Sequence, residues 1–158
     1  MTREELIAAN LAAVDAHFHT EATGEIDQAL ELYTDDIVWE SPARRLVFRG
    51  KEATGAMYRR MFESFQVEEF RQLQRFATEE RVVDDSVATV FIAGDGVINS
   101  PAPVGARVEI RLLHVFEIRG GKISRELVFE TWRTLEEAAG HMPYAAARQY
   151  ASPIHPAY

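Results

Sequence analysis

The sequence predicts an α+β fold, with helices on one face of a largely antiparallel sheet. Three observations carry this. The first third of the chain is helix-periodic, the remainder is strand-like, and Gly120-Gly121 joins two long strand-like runs as a hairpin turn. A strongly bent sheet around a helix leaves a pocket between the two layers.

Residues 3–22 read as a helix, because Leu6, Ala9, Asn10, Ala13, Val14, His17, Phe18 and Glu21 recur at helical spacing. Thr2 with Glu5 forms a capping box at its start, and Gly24 ends it. A second short helix, 26–33, carries Ile26, Ala29, Leu30 and Tyr33 on one stripe. Asp35-Asp36 is expected to turn the chain into a short strand, Ile37-Val38-Trp39, which Pro42 stops. Gly50 precedes a third helix over 52–65, apolar along Tyr58, Met61, Phe62 and Phe65.

From there the pattern is mostly strand. Residues 70–83 alternate imperfectly, as a long bent strand does. Asp84-Asp85-Ser86 is expected to turn. Residues 87–93 contain no charge, as a central strand would. Residues 99–103, with two prolines, form a loop before the hairpin of 105–132. A helical turn is expected over 135–139.

Composition narrows the function. A chain of 158 residues suits one domain with a real core. It has no run of 18 apolar residues and no apolar stretch at its acidic N-terminus, so neither a membrane span nor a signal peptide is expected. The absence of cysteine excludes disulfides, thiolate metal sites and cysteine nucleophiles, and fits a cytoplasmic protein. Net charge is -8, and the nearest approach to a basic cluster is the pair Arg44-Arg45, so nucleic acid is not an expected partner.

The hairpin holds the candidate chemistry. His114 shares its side-chain parity with Ile110, Leu112, Phe116 and Ile118. In the return strand Leu127 and Phe129 lie on one face, and Glu126, Val128 and Glu130 on the other. Ionisable groups in the middle of a strand, where a core face should be apolar, mark a place to look for a site.

The order of elements, with GEIDQALELYTDDIVWESP near the front and HVFEIRGGKI near the end, resembles the nuclear transport factor 2-like superfamily. This group includes SnoaL-like polyketide cyclases, ketosteroid isomerases, limonene epoxide hydrolases and scytalone dehydratase. The resemblance implies a cone-shaped, curved, mixed sheet wrapped around the N-terminal helices. It spans residues 5–140 or so and bears on fold more than on chemistry, because this fold hosts many reactions.

Laid against the ketosteroid isomerases, the chain matches without a gap as far as Pro42. Their oxyanion-hole tyrosine falls on His17, their catalytic aspartate on Ser41, and their protonated aspartic acid on His114. Serine is no general base unaided, so that isomerisation is not expected. Against the SnoaL-like cyclases His114 matches a site histidine, but their aspartate base falls on Val128. The epoxide hydrolases use an Asp-Arg-Asp set with members on a central strand, and residues 87–93 offer neither type. The same matching turns Glu126, Val128 and Glu130 into the cone and brings Tyr58 near His17. The implied pocket then holds His17, His114, Tyr58, Glu126 and Glu130 among Trp39, Ile110, Leu112 and Phe116, with Ser41 and Val128 also at its wall.

A histidine and a carboxylate in one apolar pocket can exchange protons near neutral pH. His114 is the candidate acid/base, with Glu126 or Glu130 as its orienter or as the base itself. His17 and Tyr58 are candidates to bind a substrate oxygen. Plainer readings stand beside these. His114 is equally a core histidine satisfied by a carbonyl or a tyrosine. Both glutamates face solvent, or pair with Arg111 or Arg125, if the register is reversed. His17 reads more simply as a buried helix residue bonded to Tyr58. The aromatics are most simply core. His17, His114 and the glutamates together resemble a zinc donor set, but their spacing is no metal motif, so neither metal nor cofactor is expected.

The sequence therefore points to a single domain over 1–140. It would be a SnoaL-like enzyme doing cofactor-independent acid/base chemistry (isomerisation, cyclisation, dehydration or hydrolysis) on a small apolar carbonyl or hydroxyl compound. The alternative is a non-catalytic ligand-binding or assembly module. The tail, 141–158, is rich in aromatics and is expected to pack on the domain or on a partner subunit. The face bearing Leu127 and Phe129 is apolar enough to suggest a homodimer.

Overall fold

The structure is a computed structural model that describes residues 1–135. The tail of 141–158 and all but Leu135 of the helical turn expected at 135–139 lie outside the described residues. Three helices come first or early: α1 (Arg3–Ala22), α2 (Ile26–Glu31) and α3 (Gly50–Ser64). The strands are β1 (Tyr33–Ser41), β2 (Leu46–Arg49), β3 (Phe65–Ala77), β4 (Arg81–Ile92), β5 (Arg107–Arg119) and β6 (Lys122–Thr134). They form one curved, open sheet in the order β2-β1-β6-β5-β4-β3. The β1–β6 pair is parallel and every other pair antiparallel, so the sheet is mixed as expected.

The capping box at Thr2 is present in both directions: Glu5 N–H donates to Thr2 Oγ1 and Thr2 N–H to Glu5 Oε2. α1 then buries an unusually polar stripe, Asn10, Val14, His17 and Thr20. Its Asn10 side chain donates to the carbonyls of Thr78 and Glu79, clamping the turn that joins β3 to β4. The main core lies between the helices and the concave face of the sheet. Val14, Ile26, Met57 and Tyr58 come from the helices; Val82, Phe116, Ile123 and Val128 come from the strands. Truncating a fully buried residue there, such as Phe116, costs about 3–5 kcal/mol.

The structure moves several expected boundaries. The turn expected at Asp84-Asp85-Ser86 falls instead at residues 78–80, where Thr78 Oγ1 accepts from the amides of Glu80 and Arg81. The two aspartates sit in mid-strand because each meets an arginine across the sheet. Asp84 bonds Arg75 of β3 at 2.7 Å on one face, and Asp85 bonds Arg111 of β5 on the other. Asp35-Asp36 likewise lies within β1. A register shift between Tyr33 and Val38 lets both carboxylates face solvent. Tyr33 consequently opens a strand rather than closing a helix, and β2 is an additional short edge strand.

The hairpin forms as expected. Gly120 and Gly121 have φ of +60° and +78°, a left-handed region that favours glycine, and they join β5 to β6. The register places His114 opposite Val128, Phe116 opposite Glu126, and Leu112 opposite Glu130. All six therefore lie on the concave face. Leu113 and Phe129 oppose each other on the convex face, 38% and 48% exposed.

No described helix is long and apolar enough to cross a membrane.

Candidate active site

A cavity of about 610 Å³ opens between the concave face and helices α1 and α3. Phe18, Glu21, Tyr58, Met61 and Phe62 supply its helical wall. Trp39, Leu112, His114, Glu126, Val128 and Glu130 supply the sheet wall. Phe116, Ser41 and His17 are not among the lining residues. Each is fully buried immediately behind them.

Glu126 is the centre of the inner end. It is 2% exposed, yet it is charged, because donors converge on it from three elements. Tyr33 of β1 and Tyr58 of α3 both donate their hydroxyls to its carboxylate, Tyr58 at 3.0 and 3.1 Å. His17 of α1 places Nε2 at 3.3 Å from Oε2. Burial alone would raise the Glu126 pKa, but the His17 charge and hydrogen bond, the neighbouring His114 and the Tyr33 hydroxyl bring it down to about 2. Burial alone would lower His17, but the carboxylates of Glu21 and Glu126 outweigh it and lift His17 to about 10. At neutral pH the pair is an imidazolium and a carboxylate. Burial, with the Glu126 charge next to them, pushes both tyrosines well above the usual phenol range, so they remain donors.

Helical spacing adds Glu21, one turn beyond His17, with Oε1 at 3.1 Å from Nε2. The ligating atoms of His17, Glu21 and Glu126 all lie within 4.8 Å of one another, compact enough for a metal ion. A metal would have to displace the proton that His17 holds between the two carboxylates.

His114 lines the cavity one register step from Glu126. Its Nε2 is 3.8 Å from Glu126 Oε1, too long for a direct hydrogen bond. Its ring stacks on Phe116, with centroids 5.5 Å apart, and meets the edge of Phe18. Its Nδ1 is buried without a hydrogen-bond partner among the described residues. Burial lowers its pKa further than the charges of Glu126, Glu21 and Asp84 raise it, so the ring is neutral at pH 7. Two histidines in one cluster thus differ in charge: His17 is protonated and enclosed, while His114 is neutral and faces the cavity.

The outer end has its own polar group. Glu130 accepts from Arg44 Nε at 3.1 and 3.0 Å and from Arg44 Nη2 at 3.0 Å. Trp132 Nε1 donates to its other oxygen at 2.8 Å. Arg44 lies in the β1–β2 turn, where Asn99 Nδ2 bonds its carbonyl and the Ser41 hydroxyl accepts its amide at 3.4 Å. The guanidinium sits 5.3 Å from the Trp39 ring centroid.

Four residues around this site stand outside the candidates that the sequence offers, although Glu21 shares the helical stripe of His17. Tyr33 looks like part of a helix stripe, Glu21 like a helix-face acid, and Arg44 like half of an unremarkable basic pair. Asp84 looks like a turn. That last misreading also bears on the central strand, which includes an inward Asp84 paired with Arg75 rather than being free of both residue types. Asp84 is not among the residues lining the cavity.

The class of molecule this defines is a curved-sheet cone that encloses a mostly apolar cavity with an ionised cluster at its inner end. The chain belongs to the SnoaL-like domain family, whose model matches residues 14–126. No curated protein matches it. Among solved structures it is similar to an LEH-like epoxide hydrolase from M. tuberculosis, with 20% identity over 79% of this chain and 84% of that one and a TM-score of 0.64. It is also similar to a nuclear transport factor 2-like protein from Burkholderia xenovorans (20% identity, 82% and 92% covered, TM-score 0.65). A third is SalBIII, described as an epoxide hydrolase/cyclase-like enzyme acting in pyran ring formation (21% identity, 77% and 90% covered, TM-score 0.63). At these identities the likenesses establish the fold.

Proposed function

We propose that this protein is a small-molecule enzyme whose own side chains perform acid/base chemistry on a compact, mostly apolar compound bearing a carbonyl or hydroxyl oxygen. Isomerisation, cyclisation, dehydration and hydrolysis all belong to this class. The observation that carries the reading is the pairing of a neutral His114 on the cavity wall with an ionised Glu126 beside it.

His114 is the acid/base in this reading. A neutral imidazole with a lowered pKa can take a proton from a bound substrate at pH 7 and return it. The imidazolium formed in between lies next to a carboxylate that is already charged, which stabilises it without reorganisation. Glu126 positions and stabilises rather than abstracts, because a carboxyl group with a pKa of about 2 is a weak base. The Nε2 donor of His17 and the hydroxyl of Tyr58 are turned to Glu126, so their role is to hold that anion in place. Glu130, engaged by Arg44 and Trp132, is not the base.

A panel of small epoxide and carbonyl compounds, compared between wild type and His114→Ala, tests this. Turnover that falls at least about a hundredfold in the variant supports the assignment, in line with the usual contribution of general acid/base catalysis. Turnover unaltered by the change removes His114 from the mechanism. A second reading, a binding module without catalysis, is favoured by the resemblance, which sets Ser41 where ketosteroid isomerases have their catalytic aspartate and Val128 where SnoaL-like cyclases have theirs. Saturable binding of such compounds with no chemical change in any of them would select it.

A further inference from the structure

We propose that Arg44, Glu130 and Trp132 form a second polar subsite, which takes a neutral carbonyl oxygen at the far end of an elongated ligand. The inference rests on the cavity being a ligand site, as argued above, and adds the shape and polarity of what it holds.

The argument begins with strand geometry. Glu126 and Glu130 are four residues apart on β6 and share its concave face, which sets their backbones about 13 Å apart. Between them on β6 stands Val128, with His114 beside it on β5 and close to Glu126, while Leu112 stands beside Glu130. Met61 and Phe62 of α3 line the facing wall. A cavity with one polar cluster would accept any apolar molecule with one oxygen. This one has two separate polar groups, Glu126 with His114 at one end and Arg44, Glu130 and Trp132 at the other, facing apolar side chains of α3, so its complement is a molecule with two separated oxygen functions.

A count of donors and acceptors sets the chemistry of the outer end. Both Glu130 oxygens already accept two contacts each, one pair from Arg44 alone and the other from Arg44 and Trp132. Of the five guanidinium N–H groups, Nε and one on Nη2 go to Glu130, and one on Nη1 makes a long 3.4 Å contact to the Ile98 carbonyl. That leaves one N–H on each terminal nitrogen without an acceptor among the described residues. The cluster can therefore still donate, but it has little capacity left to accept. It is also an ion pair with no net charge, so it offers a carboxylate no compensating cation. A carbonyl oxygen fits these terms better than an alcohol or an anion.

The ion pair is fixed in place by its surroundings. Asn99 fixes the Arg44 carbonyl, Ser41 accepts its amide, and Trp39 covers the guanidinium. A purely structural pair would serve as well without lining the cavity, which both residues do.

Calorimetric titration with three probes built on one rigid biphenyl core tests the proposal: 4-phenylphenol, 4-acetyl-4′-hydroxybiphenyl and 4′-hydroxybiphenyl-4-carboxylate. The phenol group is common to all, and only the far end differs. The acetyl compound should bind wild type about tenfold more tightly than 4-phenylphenol, the worth of one hydrogen bond to a charged donor. The carboxylate should bind no more tightly than the acetyl compound. In the double variant Arg44→Met/Glu130→Met, which removes both charges together, the acetyl advantage should fall to within about twofold. Equal affinity of wild type for the first two probes overturns the subsite alone. So does an acetyl advantage that survives the double variant, or a preference for the carboxylate. Binding of none of the three overturns the subsite and the ligand-site reading together.

Discussion

His17 Nε2 lies 3.3 Å from Glu126 Oε2, and solvent reaches neither side chain appreciably. The ion pair joins the first helix to the last described strand and anchors the polar group at the inner end of the cavity. Its strength depends on both partners keeping their charge, which makes the fold's stability a function of pH.

The sign follows from the two shifts. Glu126 is lowered from 4.5 to about 2, so its contribution is present above pH 4.5 and is lost as pH falls toward 2. His17 is raised from 6.5 to about 10, so its contribution is full below pH 6.5 and is lost as pH rises toward 10. The two describe one interaction and are counted once. Thermal unfolding followed from pH 3 to pH 10 should show a maximum between about pH 4.5 and pH 6.5, with stability falling on both sides. In His17→Gln the alkaline fall should flatten. An alkaline limb as steep as that of wild type would mean that His17 is not the group responsible.

The two tyrosines should be separable from the histidine. Tyr33→Phe and Tyr58→Phe each remove a hydroxyl donated to a buried charge, a loss of about 1.5–3 kcal/mol in denaturant unfolding. Each should also raise the Glu126 pKa, read by NMR titration of its carboxyl carbon. Unchanged stability in both variants would show that the carboxylate is satisfied without them.

Glu130→Ala leaves the Arg44 guanidinium buried without its counter-ion, and should destabilise the protein by about 3–5 kcal/mol. Arg44→Met/Glu130→Met should cost much less, because no charge is left uncompensated. If the single and double variants unfold at the same denaturant concentration, the pair is not coupled in this way.

On the convex face, Leu113 and Phe129 stand opposite each other and exposed, with the Arg111–Asp85 and Arg125–Glu40 pairs nearby. A second copy seated there would cover them. Sedimentation velocity of wild type should then give a dimer, and Leu113→Lys/Phe129→Lys a monomer with the same helix and strand content. A monomeric wild type removes this face as a self-association surface.

Much of this arrangement was legible in one dimension. The period of 3.6 marks α1, and the Thr2–Glu5 box marks its start. Gly120-Gly121 marks the hairpin, and the period of two then puts Glu126, Val128 and Glu130 on one face of β6 and His114 on one face of β5. Periodicity reports which face a side chain occupies, because it depends only on local backbone geometry. It failed at Asp84 and Asp85, where charge alone looks like a turn. Only the neighbouring strands supply the arginines that make those positions tolerable inside a sheet.

What faces what was decided by the tertiary structure alone. Tyr33 reaches Glu126 across 93 positions, and Arg44 reaches Glu130 across 86. Such contacts depend on how the sheet curves over the helices and on where a short turn leaves its side chain, and no local pattern encodes either. The same is true of charge. The sequence offers His17 and His114 as two alike imidazoles. Enclosure between two carboxylates protonates the first, and desolvation on the cavity wall keeps the second neutral.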